Sequence, residues 1–195
     1  IGGPHSTFYS ETVDFDIIDY ACIGEGENTI VELTQAIAGN LNTDNINNLC
    51  YKKNNKLIKN PLNKIFTSLD ELPFGNRAIY NRYKYFENIH IYNYRASRNC
   101  PYNCSFCMNE SLKNLYQHSG LFRKYSVSYI ISELEDIKNT YPKLTHIFFS
   151  DEAFGLDRKW MYDLLVQYKK KIALPFTLTT RADFIDDDYV SAIRD

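Results

Sequence analysis

Residues 99–109 read NCPYNCSFCMN, and this stretch holds three of the five cysteines of the chain, Cys100, Cys104 and Cys107. Their spacing is C-x3-C-x2-C. Thiolates are soft ligands that select zinc, copper(I) or iron–sulfur centres. An odd number of cysteines, with three of them in one short stretch, makes a poor disulfide framework. The pattern therefore predicts a metal site in a cytoplasmic protein, where the reducing environment keeps thiols free.

The fourth ligand decides which metal such a loop binds. A structural zinc site is closed by four ligands, and the candidates for the fourth place are His90, His118, Cys50 and Cys22. A zinc-stabilised interaction module without catalysis is therefore one hypothesis. An iron–sulfur cluster held by three cysteines would instead leave one iron open for a substrate or cofactor, which is the second hypothesis.

Strand-like and helix-like segments alternate around the cysteines. The strand-like segments are NIHIYNYRAS (88–97), LTHIFFSDEAF (144–154), which ends in a loop, and LPFTLTTRAD (174–183). The helix-like segments are 126–141, 157–171 with Asp157 at its N-cap, and 186–195. One face of the helix at 126–141 is apolar: Val127, Ile130, Ile131, Leu134 and Ile137. This alternation predicts parallel strands with right-handed crossovers, and three units form only part of a barrel, which commonly has eight strands.

The front of the chain has a different pattern. DIIDYACIG (16–24) predicts a short buried strand, GEGE (24–27) a tight turn, and NTIVELTQAIAG (28–39) a helix. Thr29 and Glu32 have the spacing of a capping box, and Ile30, Leu33 and Ile37 form the expected apolar stripe. A strand, a glycine turn and a helix make half of a βαβ layer, so we predict an open α/β sheet here. Farther on, LCYKKNNKLIK (49–59) predicts a hairpin that turns at Asn54 and Asn55.

Composition excludes several classes of partner. The chain has 195 residues and a formal net charge of −2, which gives no electrostatic reason to expect nucleic acid or an anionic membrane. No apolar run approaches the roughly 20 residues of a membrane span. The opening IGGPHSTFYS has no basic and no apolar leader region, so we expect no signal peptide. Because the chain lacks an initiator Met and stops inside a helix-like stretch, we expect it to be a segment of a longer polypeptide.

The cysteine loop resembles that of radical S-adenosylmethionine (radical SAM) enzymes. Those enzymes carry C-x3-C-x2-C after the first strand of an α/β barrel, with an aromatic residue before the third cysteine, here Phe106. The resemblance implies a 4Fe-4S cluster on Cys100, Cys104 and Cys107, whose open iron chelates the amino and carboxylate groups of S-adenosylmethionine. It also implies reductive cleavage of S-adenosylmethionine to a 5′-deoxyadenosyl radical, with flavodoxin or ferredoxin as the electron donor.

Two further stretches match positions where that family contacts S-adenosylmethionine. Ser150, Asp151 and Glu152 end the second predicted strand, where an acidic pair can bind an ammonium group. The alternative is that they cap the following helix. Arg181 ends the third strand and could hold the carboxylate of the cofactor or a substrate anion. The alternative is an ordinary salt bridge to a neighbouring carboxylate.

The front of the chain resembles the end of a cobalamin-binding domain placed before a radical SAM barrel. Gly2 and Gly3 match a Gly-Gly pair that lies against the nucleotide tail of cobalamin, and GEGE (24–27) matches a later turn. SLDELPF (68–74) resembles the linker between the two domains. The loop that supplies a lower cobalt ligand in many cobalamin proteins would precede residue 1, so cobalamin is expected in the full-length chain.

The resemblance implies an α/β fold in three parts. Residues 1–40 are predicted to be the end of a Rossmann-like cobalamin-type domain, 41–87 a linker, and 88–195 the first βα units of a partial TIM-like radical SAM barrel. Methyl transfer is the commonest reaction in this subfamily; cyclisation and rearrangement stay open. A methylthiotransferase-like enzyme without cobalamin is a further alternative, although Cys22 and Cys50 are too few for its additional cluster. The residues identify neither a substrate nor a catalytic side chain.

Overall fold

A computed structural model of the chain describes residues 1–15, 17–80, 82–117 and 122–194. The chain divides into two compact units, Ile1–Ile65 and Phe66–Asp195. The segment 41–87, expected to be a linker, includes this division, and the domain limits inferred from the sequence stay a prediction. No helix in the described ranges is long and apolar enough to cross a membrane.

The first unit combines two helices with a small sheet. Its elements are α1 (Pro4–Phe8), β1 (Tyr20–Cys22), α2 (Glu27–Ala38), β2 (Leu49–Lys53) and β3 (Lys56–Lys59). The expected helix is confirmed. The expected strand is confirmed as the shorter β1, and Asp16 at its predicted start lies outside the described residues. The expected strand, turn and helix are present as β1 and α2, and the strands described here pair antiparallel in the order β1–β2–β3.

The hairpin between β2 and β3 is confirmed with its turn. Asn54 and Asn55 have φ angles of 50° and 61°. A two-residue hairpin of type I′ needs positive φ at both positions, and asparagine tolerates this conformation better than other residues with a Cβ. The turn chemistry is local, which explains why the sequence predicted it.

The predicted capping box of α2 and two of its three stripe residues are wrong, whereas Leu33 is confirmed as a partly buried residue that packs against the small core cluster. The helix begins at Glu27, with Gly26 at the N-cap, so Thr29 lies inside the first turn and its hydroxyl donates to the carbonyl of Asn47 at 3.0 Å. Ile30 and Ile37 are 56% and 55% exposed, and the buried residues of α2 are Thr29 and Ala36. Ala36 of α2 belongs to the small core cluster beside the sheet, whereas Ile30 and Ile37 do not.

The second unit has the predicted alternation of strands and helices. Its strands are β4 (Ile91–Tyr94), β5 (Ser97–Arg98), β6 (Arg123–Lys124), β7 (His146–Phe149) and β8 (Phe176–Leu178). Its helices are α3 (Met108–Leu115), α4 (Val127–Thr140), α5 (Arg158–Lys171) and α6 (Asp187–Arg194). Strands β4, β7 and β8 form a parallel sheet in that order, and β5 pairs antiparallel with β6. The α/β class with parallel strands is therefore confirmed.

One face of the parallel sheet forms the core of this unit. Tyr94, Ile147 and Phe149 pack in one cluster with residues of α4 and α5. The predicted apolar face of α4 is confirmed in its four buried members: Ile130, Ile131, Leu134 and Ile137. The predicted cap of α5 is confirmed too, since the Asp157 carboxylate accepts the N–H of Trp160 at 3.0 Å. Alternate strand residues face the other side of the sheet, where His146 hydrogen-bonds Thr177.

A buried ion pair attaches the segment before β4 to α4. Arg77 is 7% exposed, and its guanidinium donates to Glu133 at 2.7 Å and to Asp136 at 3.0 Å. The second carboxylate oxygen of Glu133 accepts the hydroxyl of Tyr94 at 2.9 Å. Helix α4, the strand β4 and the approaching chain are therefore joined through one carboxylate.

Replacing Arg77 by methionine is expected to lower the free energy of unfolding by about 3–5 kcal/mol, because Glu133 would stay buried without its cation. Urea denaturation measures this loss. Arg82→Met is the control, since the exposed Arg82 lies over the ring of Tyr83 and the loss of this contact should cost about 1 kcal/mol or less. Equal losses in both variants would contradict the assignment.

Candidate functional site

The cysteine loop lies between β5 and α3. Cys100 is buried, Cys104 and Cys107 are half-buried, and all five cysteines of the chain are free thiols. The N–H of Cys107 donates to the carbonyl of Cys104 at 2.9 Å, which places these two residues on one tight turn. In the described ranges, the Cys, His, Asp and Glu side chains form no group of three or more that could hold a metal ion. The donor chemistry and the spacing of the three thiols suit a soft metal. In this structure, however, the three sulfurs do not lie close enough together to form a metal-binding group.

A buried carboxylate fixes the start of this loop. Asp151 follows β7 and has no exposed surface. Its carboxylate oxygens accept the N–H of Ala96 at 3.2 Å and the hydroxyl of Ser97 at 2.5 Å. These two residues lead out of β4 and into β5, so the carboxyl ends of two neighbouring parallel strands are joined beside the cysteines.

Arg123 of β6 binds Asn99, the residue before Cys100. Its guanidinium is buried and donates to the side-chain oxygen of Asn99 at 2.9 Å and to the carbonyl of Phe66 at 2.8 Å. Asn99 has a φ of 66°, a conformation that asparagine tolerates. The residue before Cys100 is therefore fixed by a long-range contact that sequence patterns did not predict.

Helix α3 contacts the loop from the other side. Lys113 is 8% exposed, and its ammonium donates to the carbonyls of Pro101 at 2.9 Å and Tyr102 at 2.8 Å. Asn109 is also buried, and its amide donates to the sulfur of Cys107 at 3.5 Å. Neither residue was predicted, although their position four residues apart, directly after the cysteines, was a visible signal.

The acidic stretch after β7 divides into three different environments. The hydroxyl of Ser150 hydrogen-bonds the side chain of Asn93. The carboxylate of Asp151 accepts hydrogen bonds from Ala96 and Ser97 at the start of the loop. One carboxylate oxygen of Glu152 contacts Arg95 at 3.2 Å. The other is buried and has no hydrogen-bond partner among the residues that the structure describes. Glu152 is therefore the member of the stretch that keeps an unused acceptor.

Burial raises the pKa of the Asp151 carboxyl from 3.8 to about 6, although the hydrogen bonds from Ser97 and Ala96 act in the opposite direction. Loss of hydration dominates because these hydrogen bonds come from neutral donors and no cation faces the carboxylate in the contacts described above.

Arg181 lies beside the cysteine loop. Its guanidinium makes two hydrogen bonds to the carboxylate of Asp183, at 2.9 and 3.0 Å, which is the salt bridge considered from the sequence. It also lies 3.7 Å from the ring centroid of Tyr102, inside the C-x3-C segment. Hydrogen bonding to Asp183 raises the pKa of Arg181, and an interaction with Cys104 contributes in the same direction.

The first unit contains the glycine pair and the other two cysteines. Gly3 has a φ of 94°, which favours glycine, and a Cβ there would meet no atom within 4 Å. A Cβ at Gly2 would meet only Cys22, at 3.8 Å. Burial raises the pKa of both Cys22 and Cys50, which disfavours the thiolate form that binds metals.

One of the two histidine candidates for a zinc ligand, His90, can be placed relative to the cysteine loop. His90 precedes β4, whereas the cysteine loop follows the opposite end of that strand, about 13 Å along its axis. This placement argues against His90 as the fourth ligand. His118 lies outside the described residues.

Comparisons with known proteins relate this arrangement to a group of enzymes. No protein-family model matches the chain. The chain is 28% identical over 199 residues to PH0819, an uncharacterized methyltransferase of Pyrococcus horikoshii, and the match covers 100% of this chain and 42% of that protein. The chain is therefore a distant homologue of that protein.

Solved structures match over nearly the whole chain. OxsB, a cobalamin-dependent S-adenosylmethionine radical enzyme with aqua-cobalamin and S-adenosylmethionine bound, has a TM-score of 0.69 at 21% identity over 96% of this chain and 26% of its own. TsrM from Kitasatospora setae, a radical S-adenosylmethionine methyltransferase with tryptophan and a cofactor analogue bound, has a TM-score of 0.73 at 17% identity, over 98% and 38%. TsrM with cobalamin and a [4Fe-4S] cluster bound has a TM-score of 0.71 at 17% identity, over 98% and 39%.

The chain shares the fold of cobalamin-dependent radical SAM enzymes. It spans less than half the length of the relatives that it matches.

The pKa of Asp151 predicts an unusual pH dependence of stability. A carboxyl whose pKa is raised in the folded state stabilises the protein below about pH 4, and this contribution is lost as the pH rises to about 6. The unfolding free energy of the wild type, relative to Asp151→Asn, should therefore fall by about 3 kcal/mol between about pH 4 and about pH 7. Urea denaturation across this range measures the difference.

Asp183→Asn is the matched control, because Arg181 lowers the pKa of Asp183. The same comparison with this variant should have the opposite sign, rising as the pH increases through the acidic range. Parallel pH curves for wild type and Asp151→Asn would contradict the assignment.

Proposed function

We propose that the chain carries the cluster-binding and S-adenosylmethionine-binding part of a cobalamin-dependent radical SAM enzyme, and that the whole enzyme is a methyltransferase. The observation that carries this proposal is a loop with three free thiols that follows the first strand of a parallel sheet. The distant homology to a methyltransferase and the shared fold support it.

In this proposal, Cys100, Cys104 and Cys107 hold a 4Fe-4S cluster. The cluster would supply the electron for reductive cleavage of S-adenosylmethionine to a 5′-deoxyadenosyl radical. The loop supplies three thiols at the C-x3-C-x2-C spacing, which binding of the cluster would draw together, while Asp151 and Arg123 fix the entry of the loop. Flavodoxin or ferredoxin is the proposed reductant.

Glu152 and Arg181 are the proposed main contacts for S-adenosylmethionine. The unused, buried oxygen of Glu152 suits the ammonium group of the cofactor. Arg181 lies against Tyr102 in the cysteine loop and suits the carboxylate group, which would compete with Asp183 for the guanidinium. Ser150 is a polar neighbour on the same stretch, and Asp151 contributes by fixing the loop.

Cobalamin is proposed for the whole protein, with Gly2 and Gly3 on its nucleotide tail. The open space beside Gly3 is compatible with a bulky neighbour. An enzyme without cobalamin that carries a second cluster is less favoured, because the pKa values of Cys22 and Cys50 are raised. The position of His90 likewise disfavours the zinc module.

Anaerobic reconstitution with iron and sulfide tests the cluster. The chain is expected to bind about four iron atoms and to develop broad visible absorbance, with an EPR signal after reduction that shifts when S-adenosylmethionine is added. The substitutions Cys100→Ser, Cys104→Ser and Cys107→Ser should abolish these signals, because the serine hydroxyl is not a soft ligand like the thiolate.

Cys22→Ser and Cys50→Ser are the controls and should retain the iron of the wild type. Stoichiometric zinc in place of iron, with no EPR signal after reduction, would contradict the proposal and support the zinc module instead.

Glu152→Gln tests the proposed ammonium contact. The reconstituted variant should bind S-adenosylmethionine about 10- to 100-fold more weakly, since a charge-assisted hydrogen bond is lost, while its iron content stays unchanged. Equilibrium dialysis measures the dissociation constant. Glu135→Gln is the control, since Glu135 is a half-buried glutamate of α4. An unchanged dissociation constant in Glu152→Gln would remove Glu152 from the site.

A further inference from the structure

Helix α3 buries a polar face against the cysteine loop. Its buried residues are Asn109, 4% exposed, and Lys113, 8% exposed. They are four positions apart and therefore lie on one face of the helix. A buried lysine without a charged partner is rare, because removing an ammonium group from water costs free energy. The helix packs this face on the loop that follows β5 rather than on an apolar core.

The ammonium of Lys113 is fully used by the first half of the loop. It donates to the carbonyls of Pro101 and Tyr102 and to the side-chain oxygen of Asn103. An ammonium has three donors, and all three acceptors lie between Cys100 and Cys104. Because these acceptors are neutral, the positive charge is not cancelled by them.

Asn109 contacts the other half of the loop. Its amide donates to the sulfur of Cys107 at 3.5 Å, and within the described part of the chain its own side-chain oxygen is buried without a hydrogen-bond partner. The amide is therefore oriented towards the sulfur, although this leaves the oxygen unsatisfied. One face of α3 thus places a positive charge and an N–H donor on the two halves of the C-x3-C-x2-C segment.

The ammonium of Lys113 and the N–H donor of Asn109 both stabilise additional negative charge at the loop. The reduction potential of a thiolate-bound iron–sulfur cluster depends on nearby charge and on hydrogen bonds to its sulfurs. One-electron reduction adds a negative charge, with the electron supplied by an external low-potential donor and no bond formed or broken in the protein. An ammonium and an N–H donor beside the ligands stabilise that reduced state more than the oxidised state.

We propose that Asn109 and Lys113 are positioning residues that raise the reduction potential of a cluster bound by Cys100, Cys104 and Cys107. This inference rests on the proposed function, since it requires an iron–sulfur cluster on this loop. Neither residue contacts the reacting atoms in the proposal, because both act through the cysteines and the loop backbone.

An EPR-monitored redox titration of the reconstituted chain tests the proposal. Lys113→Met removes the charge, Lys113→Gln removes the charge but keeps an N–H donor for the loop carbonyls, and Asn109→Leu removes the donor to Cys107. Each should shift the midpoint potential to a more negative value than that of the wild type. Lys113→Arg keeps the charge and should restore a potential close to the wild-type value.

Lys159→Met is the matched control, since Lys159 is an exposed lysine on α5, and its potential should equal that of the wild type. Wild-type potentials in Lys113→Gln and Asn109→Leu, at full iron content, would overturn the proposal. Loss of iron from all three substitutions, while Lys113→Arg retains it, would also overturn it and limit the pair to loop folding. Failure of the wild type itself to bind iron would instead contradict the proposed function.

Discussion

The hydrogen bonds of the Asp151 carboxylate are the constraint on which the site depends. The chain leaving β4 must turn aside at Ala96 to enter β5, and the N–H of Ala96 and the hydroxyl of Ser97 both donate to this carboxylate. Asp151 itself follows β7, the parallel neighbour of β4. The position of the cysteine loop is therefore set by the register of two strands, which hydrophobic packing fixes. The start of the loop is thus attached to the parallel sheet by hydrogen bonds, although the loop is not a strand of that sheet.

Polar contacts hold this loop because apolar packing does not. Phe106, in the middle of the C-x2-C segment, is 92% exposed. Arg123 fixes Asn99 at the start, and Lys113 binds the carbonyls that follow. Hydrogen-bond donors from neighbouring elements therefore take the place of apolar packing along this loop. Burying polar groups costs free energy, and the raised pKa of Asp151, whose carboxylate accepts two of these hydrogen bonds, is one expression of that cost.

Much of the fold was predictable because its determinants are local. The turn at Asn54 and Asn55 depends on two residues, and the Asp157 cap on a contact three residues away. The apolar face of α4 shows in its own periodicity. The apolar face predicted for α2 was wrong at Ile30 and Ile37, which are exposed, and right at Leu33, which packs against the small core cluster. Periodicity shows that a helix has an apolar side, but only the surrounding elements decide how much of that side is covered.

The three adjacent residues after β7 show what the site required beyond its motifs. The sequence pointed to Ser150, Asp151 and Glu152 as one group, yet strand alternation continues past the last residue of β7 and separates them. Ser150 and Glu152 meet Asn93 and Arg95 on the polar side, whereas Asp151 is buried on the other side. Asn93 and Arg95, at the end of β4, show the same alternation. The sequence alone could not show it, because Arg95 and the three residues after β7 lie beyond the ends of the two strands. Only the contacts between the two segments show that the alternation continues there. Asp151 therefore fixes the loop, whereas Glu152 keeps a buried carboxylate oxygen that has no hydrogen-bond partner among the described residues.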